Sequence, residues 1–86
     1  MTFYVYVLIS LNSNKIYTYV GYTSNLEKRL KLHNSSKGAK FTRGRLWKII
    51  YKKGYKNKTL ALKNEYKLKK DRKKRLLIKL NYLNKI

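Results

Sequence analysis

From Phe3 to Ile9 the side chains alternate: Phe3, Val5, Val7 and Ile9 fall on one face, Tyr4, Tyr6 and Leu8 on the other. A period of two in β-branched and aromatic residues predicts a strand. Leu11-Asn12-Ser13-Asn14 reads as a polar turn, and Ile16 to Tyr22 as a second strand. The two then form an antiparallel hairpin that brings Tyr6 and Tyr19 near one another, in a register the pattern leaves open. Ser24-Asn25-Leu26-Glu27 has the form of a capping box, with Ser24 as cap and Glu27 three residues on. It predicts a helix from about Asn25 to His33, with Leu26 and Leu30 facing the core and Asn34 at the exit.

Beyond that helix, Ser35 to Arg45 is a polar loop containing Gly38 and Gly44. Leu46 to Tyr51 predicts a third strand anchored by Trp47, Ile49 and Tyr51, and Gly54 to Lys58 a turn. A second helix is expected over Thr59 to Lys70, and Asp71 is placed to cap a third from Arg72 to about Leu83. Leu68, Leu76, Leu77, Leu80 and Leu83 keep this Lys-rich half from reading as a disordered tail. The order β-β-α-β-α-α predicts an α+β fold, a three-stranded antiparallel sheet flanked by helices.

Length fits one domain over residues 1–86 with one modest core. A chain of this size buries only about two-thirds of its unfolded surface. It has no cysteine, so no disulfide or thiolate zinc site reinforces it. Charge changes the picture most. Lys and Arg number 23 against 3 acids, a formal net charge of +20. That self-repulsion calls for a polyanion. DNA or RNA fits, and an anionic membrane surface is the rival. No secretory signal or membrane span is visible, so the expected location is the cytoplasm. Some of the lysines reflect the Lys, Asn, Ile and Tyr bias of an A+T-rich genome and carry no specific meaning.

Candidate chemistry concentrates on a few side chains. Arg29 and His33 stand four apart on one helix and share a face. A guanidinium clamps phosphate through two donors, and an imidazole exchanges a proton near neutral pH. The Tyr6 and Tyr19 hydroxyls add weak acid–base groups that a nearby cation can activate. The only acids are Glu27, Glu65 and Asp71, too few for a two-metal site. One Mg²⁺ keeps most of its waters and can be held by one carboxylate plus substrate phosphate. With Glu27 and Asp71 assigned to capping, Glu65 is the candidate metal ligand. Each residue also has a plain account: tyrosines as sheet aromatics, His33 beside a helix dipole, and Glu65 paired with Lys69.

Taken in order, these residues resemble the GIY-YIG nuclease family. Tyr4-Val5-Tyr6 is similar to its first motif, with Tyr4 where the family has Gly, and Tyr19-Val20-Gly21 to its second. Arg29 falls at the family's catalytic arginine, His33 where members carry His or Tyr, and Glu65 at the metal-binding glutamate. Lys37-Gly38-Ala39-Lys40-Phe41-Thr42-Arg43-Gly44-Arg45 looks like the loop of small stand-alone members. Tyr22 departs from the lysine or other polar group many relatives carry after the second motif. Larger members use a C-terminal Asn, for which Asn81 is the nearest substitute.

The resemblance implies an endonuclease using a single Mg²⁺ or Mn²⁺ ion at Glu65, with Tyr6, Tyr19, Arg29 and His33 completing the catalytic set. Lys37, Lys40, Arg43 and Arg45 are expected to hold nucleic-acid phosphates, with Phe41 or Trp47 stacking on a base if exposed; Trp47 is better read as core. With no second specificity domain in the 86 residues, the expected substrate is single-stranded or branched DNA, with RNA as an alternative. A monomer, no membrane partner and a process such as DNA repair complete the expectation. The competing readings are a basic nucleic-acid-binding module without catalysis and an interaction protein working at an anionic surface.

Overall fold

The computed structural model describes residues 1–12 and 15–85. Its order is β1 (Phe3–Asn12), β2 (Lys15–Thr23), α1 (Leu26–Asn34), β3 (Lys48–Tyr55), α2 (Lys58–Lys70) and α3 (Arg72–Leu83), with a single 3₁₀ turn at Lys40–Thr42. The three strands form one antiparallel sheet in the order β2-β1-β3. This is the α+β architecture read from the sequence. Of the expected turn Leu11 to Asn14, Ser13 and Asn14 lie outside the described residues.

Strand β1 is central and buried on both sides, which explains why both of its alternating faces are apolar. Val5 and Val7 join Val20, Ala61 and Leu68 in one cluster, on the face that carries α2. Tyr6 and Leu8 join Trp47 on the other face, where Leu26 and Leu30 of α1 pack. Each fully buried aliphatic side chain stabilises the fold by about 1.5–3 kcal/mol. A bulge between Val7 and Leu8 leaves Ile50 as an extra residue on β3. It lets Ile49 face the Tyr6 cluster while both Ile50 and Tyr51 face the Val5 cluster.

Three local expectations are corrected. The cap of α1 is Asn25, not Ser24: its side chain accepts from Lys28 N at 3.1 Å. Thr23 Oγ1 accepts from Asn25 N at 3.1 Å with Asn25 extended, and the Asn25 amide oxygen meets the open N–H of Lys28. Glu27 lies in the first turn, where its charge suits the helix dipole, but makes no cap bond. The third strand runs from Lys48 to Tyr55 rather than from Leu46 to Tyr51. Leu46 is 77 % exposed and Trp47 precedes the strand. Gly54, expected in a turn, pairs with Tyr4, because the β1 ladder extends past the apolar residues into Lys52 and Lys53. The cap of α3 falls where the sequence put it, with Asp71 Oδ1 accepting from Lys74 N at 3.1 Å.

The segment between α1 and β3 is tied at both ends. Trp47 N donates to Asn34 Oδ1 at 2.6 Å and Asn34 Nδ2 donates to Trp47 O at 3.2 Å. Asn34 is thus the last residue of α1 and a clamp on the approach to β3. None of the helices among the described residues is long and apolar enough to cross a membrane.

Candidate active site

Tyr6 leaves the middle of β1 on the α1 face, directly opposite Gly21 of β2. A Cβ at position 21 would lie 2.6 Å from Tyr6 Cζ, so the glycine makes room for the phenol ring. Tyr19 pairs with Leu8 two positions along and projects from the same face.

The Tyr6 hydroxyl lies 2.9 Å from His33 Nε2, and His33 Nδ1 lies 2.8 Å from Thr42 Oγ1. The Thr42 hydroxyl donates to Ala39 O at 2.7 Å. It has one proton, already committed to a carbonyl, so it accepts from His33 Nδ1–H. The neutral imidazole therefore offers a lone pair at Nε2, and Tyr6 O–H donates to it. A single line of protons runs Tyr6, His33, Thr42, Ala39. His33 is 0 % exposed. Burial, helped by the Arg29 charge, lowers its pKa below the ordinary 6.5. Gly38 packs against it: a Cβ there would come within 2.5 Å of Nδ1.

Arg29 sits one helical turn before His33 on α1. The neighbouring Tyr6 phenol raises the pKa of the Arg29 guanidinium further, against the opposing effect of burial. Its Nε is buried without a hydrogen-bond partner. Tyr6 itself is raised above the ordinary 10.0, first by burial, with Tyr19 and Glu65 acting the same way against Arg29. The Tyr19 ring lies 5.2 Å from the His33 ring.

Glu65 lies on α2 in the stripe that includes buried Ala61 and Leu68. Its side chain is 14 % exposed, and Oε1 is 3.4 Å from Lys69 Nζ. Its charge reaches Tyr6 and opposes the phenol's ionisation. No group of three or more His, Cys, Asp or Glu residues gathers among the described residues. This donor set fits a hard ion that needs one protein carboxylate and keeps its remaining places for water and phosphate, and does not fit a multi-carboxylate cage.

Tyr6, Tyr19, Arg29 and His33 thus gather, and Glu65 on α2 is linked to them through the effect of its charge on Tyr6. Lys37, Lys40 and Arg43 lie on the loop, Lys40 and Arg43 exposed and Lys37 also open to solvent. Arg45 turns back: its guanidinium lies 4.1 Å over the Tyr17 ring and 5.1 Å from the Phe41 ring, and donates to Phe41 O at 2.6 Å. Phe41 is 48 % exposed and lies nearly parallel to Tyr19, with centroids 6.3 Å apart. Trp47 is buried, as a core residue, and donates to Thr42 O at 2.9 Å. Asn81 stands exposed on α3, and no hydrogen bond among the described residues ties it to the site. Sequence reasoning missed Thr42 and Gly38 as parts of the site. The family-like loop contained both, but only its cations and Phe41 were singled out.

A tyrosine, an arginine and a buried histidine thus gather on a hairpin and its following helix. Residues 2–81 match the GIY-YIG catalytic domain, and the chain belongs to that family. Its members are endonuclease-type phosphodiester hydrolases that act on nucleic acids and generally use divalent metal ions. The chain is 45 % identical over 67 residues to a UPF0213 protein of Oceanobacillus iheyensis, covering 77 % of this chain and 74 % of that one. It is 43 % identical to the uncharacterized protein L300 of Acanthamoeba polyphaga mimivirus, covering 94 % of this chain and 51 % of that one. The solution NMR structure of a UPF0213 protein from Bacillus halodurans is similar at 37 % identity and a TM-score of 0.47, covering 93 % of this chain and 85 % of that one.

Proposed function

We propose that this chain is a metal-dependent endonuclease that hydrolyses phosphodiester bonds in DNA, selecting single-stranded or branched substrates rather than a base sequence. One observation carries the reading: the Tyr6 hydroxyl lies 2.9 Å from His33 Nε2, in a phenol that also acts on the Arg29 guanidinium.

In this arrangement Tyr6 takes a proton from the attacking water as it hands its own to His33 Nε2. The new oxygen–phosphorus bond forms, the bond to the leaving oxygen breaks, and that oxygen takes a proton from solvent. His33 is briefly an imidazolium, still donating through Nδ1 to Thr42. Burial and Arg29 disfavour that charge, so His33 returns its proton to Tyr6 as Tyr6 releases its own to solvent, which replaces the proton the leaving oxygen took and leaves both groups neutral. His33 has both ring nitrogens engaged, by Tyr6 and Thr42, and acts through Tyr6. Arg29 neutralises charge on the phosphoryl oxygens, and its unpartnered Nε is a donor in need of an acceptor. Tyr19 helps to orient the water. Glu65 would hold a Mg²⁺ or Mn²⁺ ion, which supplies charge stabilisation at the phosphate and leaving oxygen when bound.

Lys37, Lys40, Arg43 and Arg45 would hold backbone phosphates around this centre. The half-exposed Phe41 offers a surface on which an unpaired base can stack, which favours single-stranded over intact duplex substrate. The expected setting is the cytoplasm, in repair or recombination, where such strands arise. A binding module without catalysis is the second reading, favoured by the ion pair that Glu65 already makes with Lys69.

The test is cleavage of end-labelled single-stranded, duplex and branched DNA with Mg²⁺ or Mn²⁺, comparing wild type with Glu65→Ala and Arg29→Ala. Metal-dependent products lost in both variants, with DNA affinity kept, support the nuclease. Tight salt-sensitive binding with no products from any substrate moves the assignment to the binding module.

A further inference from the structure

The other face of β2 carries a second concentration of charge. Thr18 alternates with Tyr17 and Tyr19, so its side chain leaves the sheet on the side opposite the Tyr6–His33 pair. There Arg72, Lys73, Arg75 and Lys79 of α3, with Leu76 and Thr18, line a cleft of about 280 Å³. Positions 72, 75, 76 and 79 recur on one helix face. Among the described residues the ion pair present is Glu65 with Lys69, so none of the four cations has a carboxylate partner. Asp71, next to them in sequence, accepts from Lys74 N as the helix cap.

Arg75 adds an independent sign. It is half-buried, and its Nε is shielded from solvent with no hydrogen-bond partner. Four like charges around a concavity repel one another, and a shielded guanidinium N–H without an acceptor is unsatisfied. One ligand class answers both. Phosphate oxygens neutralise the cluster, accept from the guanidinium fork, and leave an oxygen for the Thr18 hydroxyl. None of the side chains proposed for catalysis lines this cleft.

We propose that the cleft is a second phosphate site, holding the backbone of the same nucleic-acid strand a few nucleotides from the bond to be cut. β2 is an edge strand with β1 as its sheet neighbour. A strand can therefore pass round this edge, from Phe41 and Arg45 on one face to Thr18 and Arg75 on the other. The inference rests on the nuclease reading only for its choice of nucleic acid as the polyanion.

The test uses the ¹⁵N-labelled full chain without divalent metal, so that nothing is cut. A short oligothymidylate is titrated while the Arg75 Nε–H and Thr18 amide signals are followed. Both are expected to shift. The pair Arg75→Gln and Lys79→Gln should weaken oligothymidylate binding and lower the salt slope of log Kd by about 1.4, about 0.7 for each lost phosphate contact on a single strand. Lys52→Gln with Lys56→Gln removes the same charge at and beyond the far-edge strand, and should leave that slope unchanged. Binding that never moves the Arg75 and Thr18 signals overturns the proposal. So does a response to inorganic tripolyphosphate but not to oligothymidylate, which would assign the cleft to a free polyphosphate. A chain that binds DNA through the cleft and cuts no substrate would sink the nuclease reading and leave the cleft standing.

Discussion

Gly21 lies across the hairpin from Tyr6, and the absence of a side chain there is what lets the phenol ring stand against His33. Tyr6 is 2 % exposed and its hydroxyl is held by His33, so the ring cannot swing aside to admit a methyl group. Gly21→Ala is expected to destabilise the chain by about 1–3 kcal/mol and to slow cleavage by roughly tenfold or more as the Tyr6 proton loses its alignment. Urea unfolding and a cleavage assay on the same preparation check both. A variant as stable and active as wild type would show that the pocket is looser than the geometry indicates.

The two tyrosines are not equivalent. Tyr6 donates to His33, whereas Tyr19 meets it only through ring contact. Tyr6→Phe should lower the cleavage rate by about 10²–10⁴ with DNA affinity little changed. It also leaves His33 Nε2 unpaired in the core, at about 1–3 kcal/mol of stability. Tyr19→Phe should cost less on both counts. Single-turnover rates for the two variants decide it, and a larger loss at Tyr19 would reassign the base.

Thr42 fixes which imidazole nitrogen carries the proton. In Thr42→Val the Nδ1–H has no acceptor, while Thr42→Ser keeps one. The ¹⁵N shifts of His33 should report an Nδ1–H tautomer in wild type and in Thr42→Ser, and a mixture in Thr42→Val. Cleavage should fall about tenfold with valine, the scale of one lost orienting hydrogen bond, and recover with serine. An unchanged tautomer in the valine variant would remove Thr42 from the proton line.

Protonation of His33 closes the route for the Tyr6 proton. Its pKa is lowered from 6.5 by burial and by Arg29, so the neutral form persists below the usual histidine range. The acid limb of the cleavage profile should therefore lie below pH 6.5. The same shift links to stability. The unfolded chain binds the proton more readily, so stability is full above 6.5 and falls as pH drops from there through the folded pKa. His33→Gln should flatten this limb of both profiles. An acid limb centred above 6.5 would place the titrating group elsewhere.

Glu65→Gln removes the carboxylate while leaving an amide of similar shape. Mn²⁺ titration calorimetry on the DNA-bound chain should lose its metal-binding heat, and cleavage should disappear. The broken pair with Lys69 costs only about 0.3–0.5 kcal/mol, so the fold is retained. Undiminished metal binding in this variant would move the ion to another ligand.

Element types were readable where side-chain periodicity reports burial directly. The alternation from Phe3 to Ile9 marked a strand, and its apolar character on both faces is the mark of a central one. Boundaries set by backbone pairing were not readable. Lys52-Lys53-Gly54 looks like a turn approach, yet it extends β3 because Tyr4, Val5 and Tyr6 supply its ladder partners. Ser24 and Asn25 are both good caps, and the choice between them was made by the Thr23 hydroxyl, which no local rule weighs. At the site, Tyr6, Tyr19, Arg29 and His33 stood out by residue type and spacing. Thr42 did not, because a threonine in a polar loop looks solvated until the 3₁₀ turn and Trp47 enclose it.

The paired hydrogen bonds between Asn34 and the Trp47 backbone give the intervening segment the character of an interchangeable cartridge. Gly38 and Thr42 face inward against the imidazole, with Trp47 buried behind Thr42, while Lys37, Lys40, Phe41 and Arg43 are exposed. Among the described residues, Lys37, Lys40 and Arg43 make no hydrogen bond to the proton line through their side chains, whereas Phe41 packs on Tyr19 and Trp47. On the proposed reading, the residues that would choose the substrate and those that would move the proton share one short stretch of chain, and the two sets could diverge at different rates.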